Sequence, residues 1–168
     1  MSDLKTVILT GASRGIGHAT AQRFSDAGWR VITCSRDEVP ADRVAVDSVH
    51  RHIVADLGDD KSLDDFMVEA NEFLGDDALH GLVNNAGVSP KTDFKERLGC
   101  LNADFDVWRE VFELNFFAPL RLARGFAAAL HRGSGAIVNI TSISGMRAST
   151  LRVAYGTSKA GLAHLALE

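Results

Sequence analysis

The chain is poor in the residues that staple or interrupt a fold. Its 168 residues include two cysteines, three prolines and a single tyrosine. Cys34 and Cys100 are too few for a disulfide framework or a four-cysteine zinc site, and they read as free thiols in a reducing compartment. No apolar run approaches the ~18–20 residues of a transmembrane helix. The start, Met1 to Lys5, carries an early acid and leads into no long apolar stretch, so it is no secretory signal. Neither sign of charge dominates: 18 Lys+Arg against 22 Asp+Glu give a net charge of −4. That balance leaves no electrostatic footprint for nucleic acid or for an anionic membrane. What is present is ordinary globular composition, 46% hydrophobic and 24% charged, which excludes a disordered chain. No repeat, low-complexity tract or linker appears, so residues 1–168 are expected to form one cytoplasmic domain.

Apolar strands and helices alternate along that domain. Thr6 to Thr10, Arg30 to Cys34, His52 to Ala55, His80 to Asn84 and Ala136 to Thr141 read as five strands. Ile16 to Ala27, Ser62 to Leu74, Phe105 to Leu130 and Ala154 onward read as helices, with Gly28 as a stop signal and Asp59 or Ser62 as a cap. Strands that are apolar throughout imply a parallel sheet covered on both faces. The expected fold is therefore α/β, a doubly wound parallel sheet in three α/β/α layers (a Rossmann fold), with ligands bound beyond the C-terminal strand ends.

The motifs fall at those ends. Gly11, Ser13, Arg14, Gly15, Ile16 and Gly17 lie between the first strand and its helix. Glycines permit close backbone approach, and a helix N-terminus offers free N–H groups to a pyrophosphate; the alternative is a glycine-rich turn with no ligand. Ser35 and Arg36 end the second strand, where a dinucleotide's ribose would lie. Arg36, with Arg14 in reach, favours the 2′-phosphate of NADP(H) over NAD(H), while Asp37 and Glu38 pull the other way. Asp56 and Leu57 offer an adenine a carboxylate and an apolar contact, or are an ordinary loop. Asn84, Asn85, Ala86 and Gly87 place a loop beside the glycine turn that a flat ligand could approach. Tyr155 and Lys159 are four apart and share a helix face. Free tyrosine titrates near ~10, and a neighbouring ammonium favours phenolate, so the pair suits a general acid or base. Ser142 offers a hydroxyl to a substrate carbonyl and its developing alkoxide, with Thr141 and Ser144 as rivals.

Together these residues resemble the classical type of the short-chain dehydrogenase/reductase family, from residue 5 to about residue 167. The resemblance lies in the glycine motif Thr10 to Gly17, the Asn84 to Gly87 loop, and Ser142 with Tyr155 and Lys159. It implies nicotinamide-dependent hydride transfer between a carbonyl and a secondary alcohol. Ser35 and Arg36 resemble NADP-preferring members, including 3-oxoacyl-carrier-protein reductases, so the implied substrate is a small carbonyl or alcohol, such as a 3-oxoacyl thioester. The family also implies a catalytic role for Asn115, binding of the nicotinamide ribose by Lys159, and homo-tetramers or homo-dimers formed through residues 105–131 and 154 onward. Pro119 adds a physical reason for Asn115. Proline has no N–H, so the ordinary helical bond to the Asn115 carbonyl cannot form, and that carbonyl takes a water or the helix simply kinks.

Family members continue past the point where this sequence ends, through further strands and a substrate-covering segment. The chain is accordingly expected to be part of a longer enzyme, with its fifth strand an open apolar edge. Two alternatives remain at this stage: a catalytically impaired or non-catalytic dinucleotide-binding protein on the same scaffold, and an NAD-dependent alcohol dehydrogenase. No metal site is expected. His50 and His52 form a pair without a third ligand, Cys100 has no base beside it, and Phe116, Phe117 and Phe126 read as core or subunit interface.

Overall fold

The computed structural model describes residues 4–39, 50–91, 104–147 and 152–165; Cys100 and the last three residues lie outside them. β1 (Thr6–Thr10) is buried at every position because it is the central strand. It pairs in parallel with β2 (Arg30–Ser35) on one side and β4 (Gly81–Asn84) on the other. β3 (Arg51–Val54) lies outside β2, and β5 (Ala136–Asn139) outside β4, so the order is β3-β2-β1-β4-β5. This is the expected doubly wound arrangement.

Strand alternation sorts the apolar residues into two cores. Ile8, Ile32 and Leu82 point to one face, where α2 (Asp60–Leu74), α4 (Ala118–Gly125) and α5 (Ala127–Arg132) supply Leu63, Phe66, Leu122 and Leu130. Phe66 and Phe126 meet there edge to face, with ring centroids 6.4 Å apart. Val7, Leu9, Val31 and Val83 point to the other face, against Ala21 and Phe24 of α1 (Gly15–Asp26). Each fully buried large apolar side chain contributes roughly 1.5–3 kcal/mol.

Several expected boundaries shift for identifiable reasons. α1 begins at Gly15 and stops at Asp26, before the left-handed Gly28. α2 begins two residues early because Asp59, not Ser62, caps it, accepting from the Ser62 N–H at 2.8 Å. β5 ends at Asn139 rather than Thr141. The Ile140 N–H still donates to Asn84, but the Ile140 carbonyl is taken by Lys159, which ends the pairing. The long helix expected over 105–130 is three helices. α3 (Phe105–Phe112) runs into a π turn at Glu113–Phe117 before α4. Pro119 cannot donate, and the helix widens so that Ala118 N–H reaches back five residues to Glu113. A second break falls at Phe126, after Gly125, where a side chain would press on Met67 of α2.

Phe126 is core, whereas Phe117 is substantially exposed. Among the described residues β5 pairs only with β4, and Ile137 and Val138 are 43% and 48% exposed. No described helix is long and apolar enough to cross a membrane.

Candidate active site

A cleft of about 630 Å³ opens beyond the C-terminal ends of β1, β2 and β4. Its floor is the glycine turn. Gly11 has φ +71°, and a Cβ there would lie 2.9 Å from both Ala86 Cα and Asn85 Nδ2. A Cβ on Gly17 would lie 2.2 Å from the Gly11 carbonyl oxygen, so only glycine lets α1 start this close to the turn. α1 has no side-chain cap and no acid in its first turn. Its leading N–H groups therefore lack internal partners at the positive end of the helix dipole.

Thr10 and Asn85 lock the turn to the loop after β4. The Thr10 hydroxyl accepts from the N–H groups of Asn85 and Ala86 at 3.1 and 3.0 Å. Asn85 Nδ2 donates back to the carbonyls of Thr10 and Gly11 at 2.9 and 3.1 Å. Next to it, Asn84 Nδ2 donates to Asn139 Oδ1 at 2.8 Å, tying β4 to β5.

The cleft gathers most of the expected nucleotide residues. Gly11, Ser13, Arg14, Gly15, Ile16 and Gly17 line it from the turn, Ser35 and Arg36 from β2, and Asn85, Ala86 and Gly87 from the β4 loop. Leu57 joins them; Asp56 is not part of the wall, and its Oδ1 accepts from the Gly58 N–H at 2.9 Å. Asp37, Glu38 and Leu114 also line it. Cys34 stands behind, its thiol pushed up to about 12 by burial and so inert at neutral pH.

Beyond Gly87 lies a second group of residues. A Cβ on Gly87 would sit 3.1 Å from Asn115 Oδ1 and 3.3 Å from Lys159 Nζ. Asn115 is fully buried in the π turn. Its Oδ1 accepts from the Val88 N–H at 2.8 Å, and its Nδ2 donates to the Val88 carbonyl at 2.9 Å and to Ser158 Oγ at 3.1 Å. Ser158 in turn donates to the Tyr155 carbonyl at 2.8 Å. One side chain thus joins the β4 loop to α6 (Val153–Leu165).

Lys159 on α6 is 3% exposed and donates to the Ile140 carbonyl at 2.8 Å. Burial lowers its pKa from 10.5 to about 8. Ser142 precedes a 3-10 turn (Ile143–Gly145), and its Oγ accepts from the Ser144 N–H at 3.1 Å. That turn is pressed onto α6: a Cβ on Gly156 would meet the Ser144 carbonyl at 2.7 Å. Ser142, Tyr155 and Lys159 are therefore carried by two elements in direct contact. Ser158 and the Ile140 carbonyl carried no sequence signal of their own, since each matters through a partner distant in the chain.

His50 and His52 hydrogen-bond to neighbouring strand residues. His50 Nδ1 accepts from the Val31 N–H at 3.2 Å, and His52 lies against Thr33 and Ser35. No group of three His, Cys, Asp or Glu side chains fit for a metal occurs among the described residues.

The short chain dehydrogenase family model matches residues 5–168. Protein FixR of Bradyrhizobium diazoefficiens is 48% identical over 166 residues, covering 98% of this chain and 60% of its own length. A fatty acyl-CoA reductase of Mycobacterium tuberculosis is 33% identical, covering 94% of this chain and 54% of its own. The chain thus spans half to three fifths of the length of these curated relatives. Among solved structures, a Brucella ovis oxidoreductase with a partially ordered NAD is 46% identical with a TM-score of 0.89, covering 97% of this chain and 74% of that one. A metagenomic short-chain oxidoreductase in complex with NADP is 32% identical with a TM-score of 0.81, covering 96% and 71%. A glycine cradle at the sheet's switch point and a family match along nearly the whole chain lead to one conclusion: the chain belongs to the short-chain dehydrogenase/reductase family.

Proposed function

We propose that this chain carries the nucleotide-binding and proton-transferring part of an NADP(H)-dependent carbonyl reductase. The observation that carries this reading is the position of Gly87, which lines the nucleotide cleft and abuts both Lys159 and Asn115. Cofactor cleft and α6 chemistry thereby meet at one residue. The cradle fits a dinucleotide: the uncapped start of α1 suits a pyrophosphate, and Leu57 and Leu114 give an apolar wall. Arg14 and Arg36 are both exposed and line the same cleft, which favours a 2′-phosphate. When bound, the nicotinamide supplies the hydride.

The chain's own groups handle the oxygen and the proton. The Ser142 hydroxyl hydrogen-bonds the substrate oxygen and steadies it as negative charge develops. The Tyr155 hydroxyl gives its proton to that oxygen in reduction, or accepts one in oxidation. Lys159 offers positive charge on the same helix face. Asn115 holds the β4 loop against α6, keeping Gly87 and Lys159 in register. Small ketones and 3-oxoacyl thioesters are the first substrates to test, since one relative is named as a fatty acyl-CoA reductase.

A second reading has its own support. Asp37 and Glu38 line the cleft beside Arg36, and the Brucella structure holds NAD. An NAD-dependent alcohol dehydrogenase would use the same residues. Titrating the purified protein with NADPH and NADH while following nicotinamide fluorescence decides between them. Selective NADPH binding supports the first reading, selective NADH binding the second. Selective binding without turnover of any carbonyl would support a non-catalytic dinucleotide-binding protein instead.

A further inference from the structure

His52 stands behind the cleft, outside its lining, and contacts Ser35 of its β2 wall. Strand register sets it opposite Thr33. Side chains two apart on a strand share a face, so Thr33 and Ser35 both reach the ring. Nδ1 lies 2.8 Å from Thr33 Oγ1 and Nε2 lies 3.0 Å from Ser35 Oγ. Ser35 Oγ also donates to the Asp37 carbonyl at 2.8 Å.

Those partners select one tautomer, since the Thr33 hydroxyl lies nearer to the ring, at 2.8 Å, than to the Arg51 carbonyl, at 3.4 Å. The serine proton is committed to Asp37, so Ser35 Oγ accepts from His52, and Nε2 carries the ring hydrogen. Nδ1 then accepts from the Thr33 hydroxyl. Burial lowers the His52 pKa from 6.5, with the Asp37 carbonyl opposing, and the ring is neutral at pH 7. The neighbouring cation does not compete: Arg51 turns to Glu69 of α2, at 3.0 and 2.6 Å.

The Asp37 carbonyl is the end of this chain of hydrogen bonds, and it lies in the bend formed by Arg36 and Asp37. Arg36, Asp37 and Glu38 all line the cleft. Of these, Arg36 suits a 2′-phosphate, while the two acids suit a free 2′-hydroxyl. Which of them faces the ribose depends on how the bend is turned, and the Ser35 hydroxyl holds the Asp37 carbonyl of that bend. Ser35 and Thr33 are both buried, so neither regains water cheaply if the ring is lost.

We propose that His52, acting through Ser35 and the Asp37 carbonyl, sets the site's selectivity at the ribose 2′ position. It is a positioning residue and touches no nucleotide. The proposal rests on the reading of the cleft as an NADP(H) site.

The test is calorimetric titration of 2′,5′-ADP and 5′-AMP into the purified protein and its variants. Wild-type protein prefers 2′,5′-ADP. His52→Leu lowers that preference by about tenfold, the equivalent of one hydrogen bond, and leaves 5′-AMP affinity within about twofold. His52→Gln restores most of the preference, because its amide N–H₂ reaches Ser35 Oγ. His52→Asn, which reaches only as far as Thr33, does not. Should the leucine variant fail to fold, the glutamine and asparagine variants decide alone, since glutamine keeps the contact to Ser35 Oγ and asparagine loses it.

An unchanged ratio in these variants, or an equal loss of both affinities, overturns the proposal. Wild-type protein that binds neither ligand, or shows no preference between them, overturns the reading of the cleft and the proposal with it. That outcome is distinguishable because it needs no variant.

Discussion

The two ends of the cleft are built differently. At the end where we propose the nucleotide binds, the walls are backbone and solvated side chains: a glycine turn, the uncapped start of α1, and exposed Arg14 and Arg36. At the reaction end the supporting groups are core residues. Asn115 and Ser158 are fully buried and Lys159 nearly so, and each is spent on hydrogen bonds between elements. Changing a solvated arginine alters what is recognised with little effect on folding, whereas changing a buried amide costs stability first. Selectivity can therefore drift on this scaffold while the support for the chemistry stays fixed.

Separating the two ends by mutation gives the sharpest tests. The largest effect is expected from Tyr155→Phe. In any preparation that reduces a carbonyl it lowers kcat by about 10²–10⁴-fold, the usual range for a lost general acid. NADPH affinity, set mainly at the other end, changes far less, and stopped-flow turnover beside fluorescence titration reads both. Retained reduction would remove Tyr155 from the mechanism. Asn115→Ala comes next. It strands the Val88 N–H and carbonyl and removes a donor from Ser158 Oγ, and is expected to cost about 3 kcal/mol by denaturant unfolding. A loss confined to turnover, with stability intact, would show that Asn115 is not the clamp described here. Arg36→Asp acts only at the solvated end. It shifts the NADPH/NADH affinity ratio by about 10–100-fold toward NADH, with unfolding free energy within about 0.5 kcal/mol. An unchanged ratio would show that Arg36 does not read the 2′ position.

The same contrast explains what the sequence made legible. β1, β2 and β4 were readable because buried parallel strands are largely apolar, and the shorter outer strands by their β-branched residues between helices. The residues lining the cleft were readable because the turn Gly11–Gly17 and the ends of β2 and β4 are local signatures of strand ends. Pro119 signalled a break in the long helix. It did not show that the break would be a π turn closing on Glu113, or that a second would follow Gly125. The reaction end was legible only as a list of residues. Ser158 acts through Asn115, 43 positions away, Thr10 through Asn85, 75 positions away, and the end of β5 through Lys159. The partners of His52 were not legible, because they follow from strand register, which no local pattern prints.

The smallest expected effect is also the one that joins stability to chemistry at the reaction end. Lys159 has a folded pKa of about 8, against 10.5 for a free lysine, because the fold takes its ammonium out of water. Between these values the unfolded chain holds a proton that the folded chain has released. By linkage, unfolding free energy then rises with pH from about 8 to 10.5 and is flat in this group below that window. Other lysines and the thiols titrate in the same range, so the informative quantity is the difference between wild type and Lys159→Met. Denaturant unfolding at pH 7, 8, 9 and 10 should show the wild-type curve climbing relative to the variant. Parallel curves would mean that the ammonium is not held at a cost. In the same window the charge offered to Tyr155 disappears, so carbonyl reduction should fall as the fold gains stability. A lysine buried against its own solvation at neutral pH fits the site we propose around that positive charge, and opposing pH slopes would be its signature.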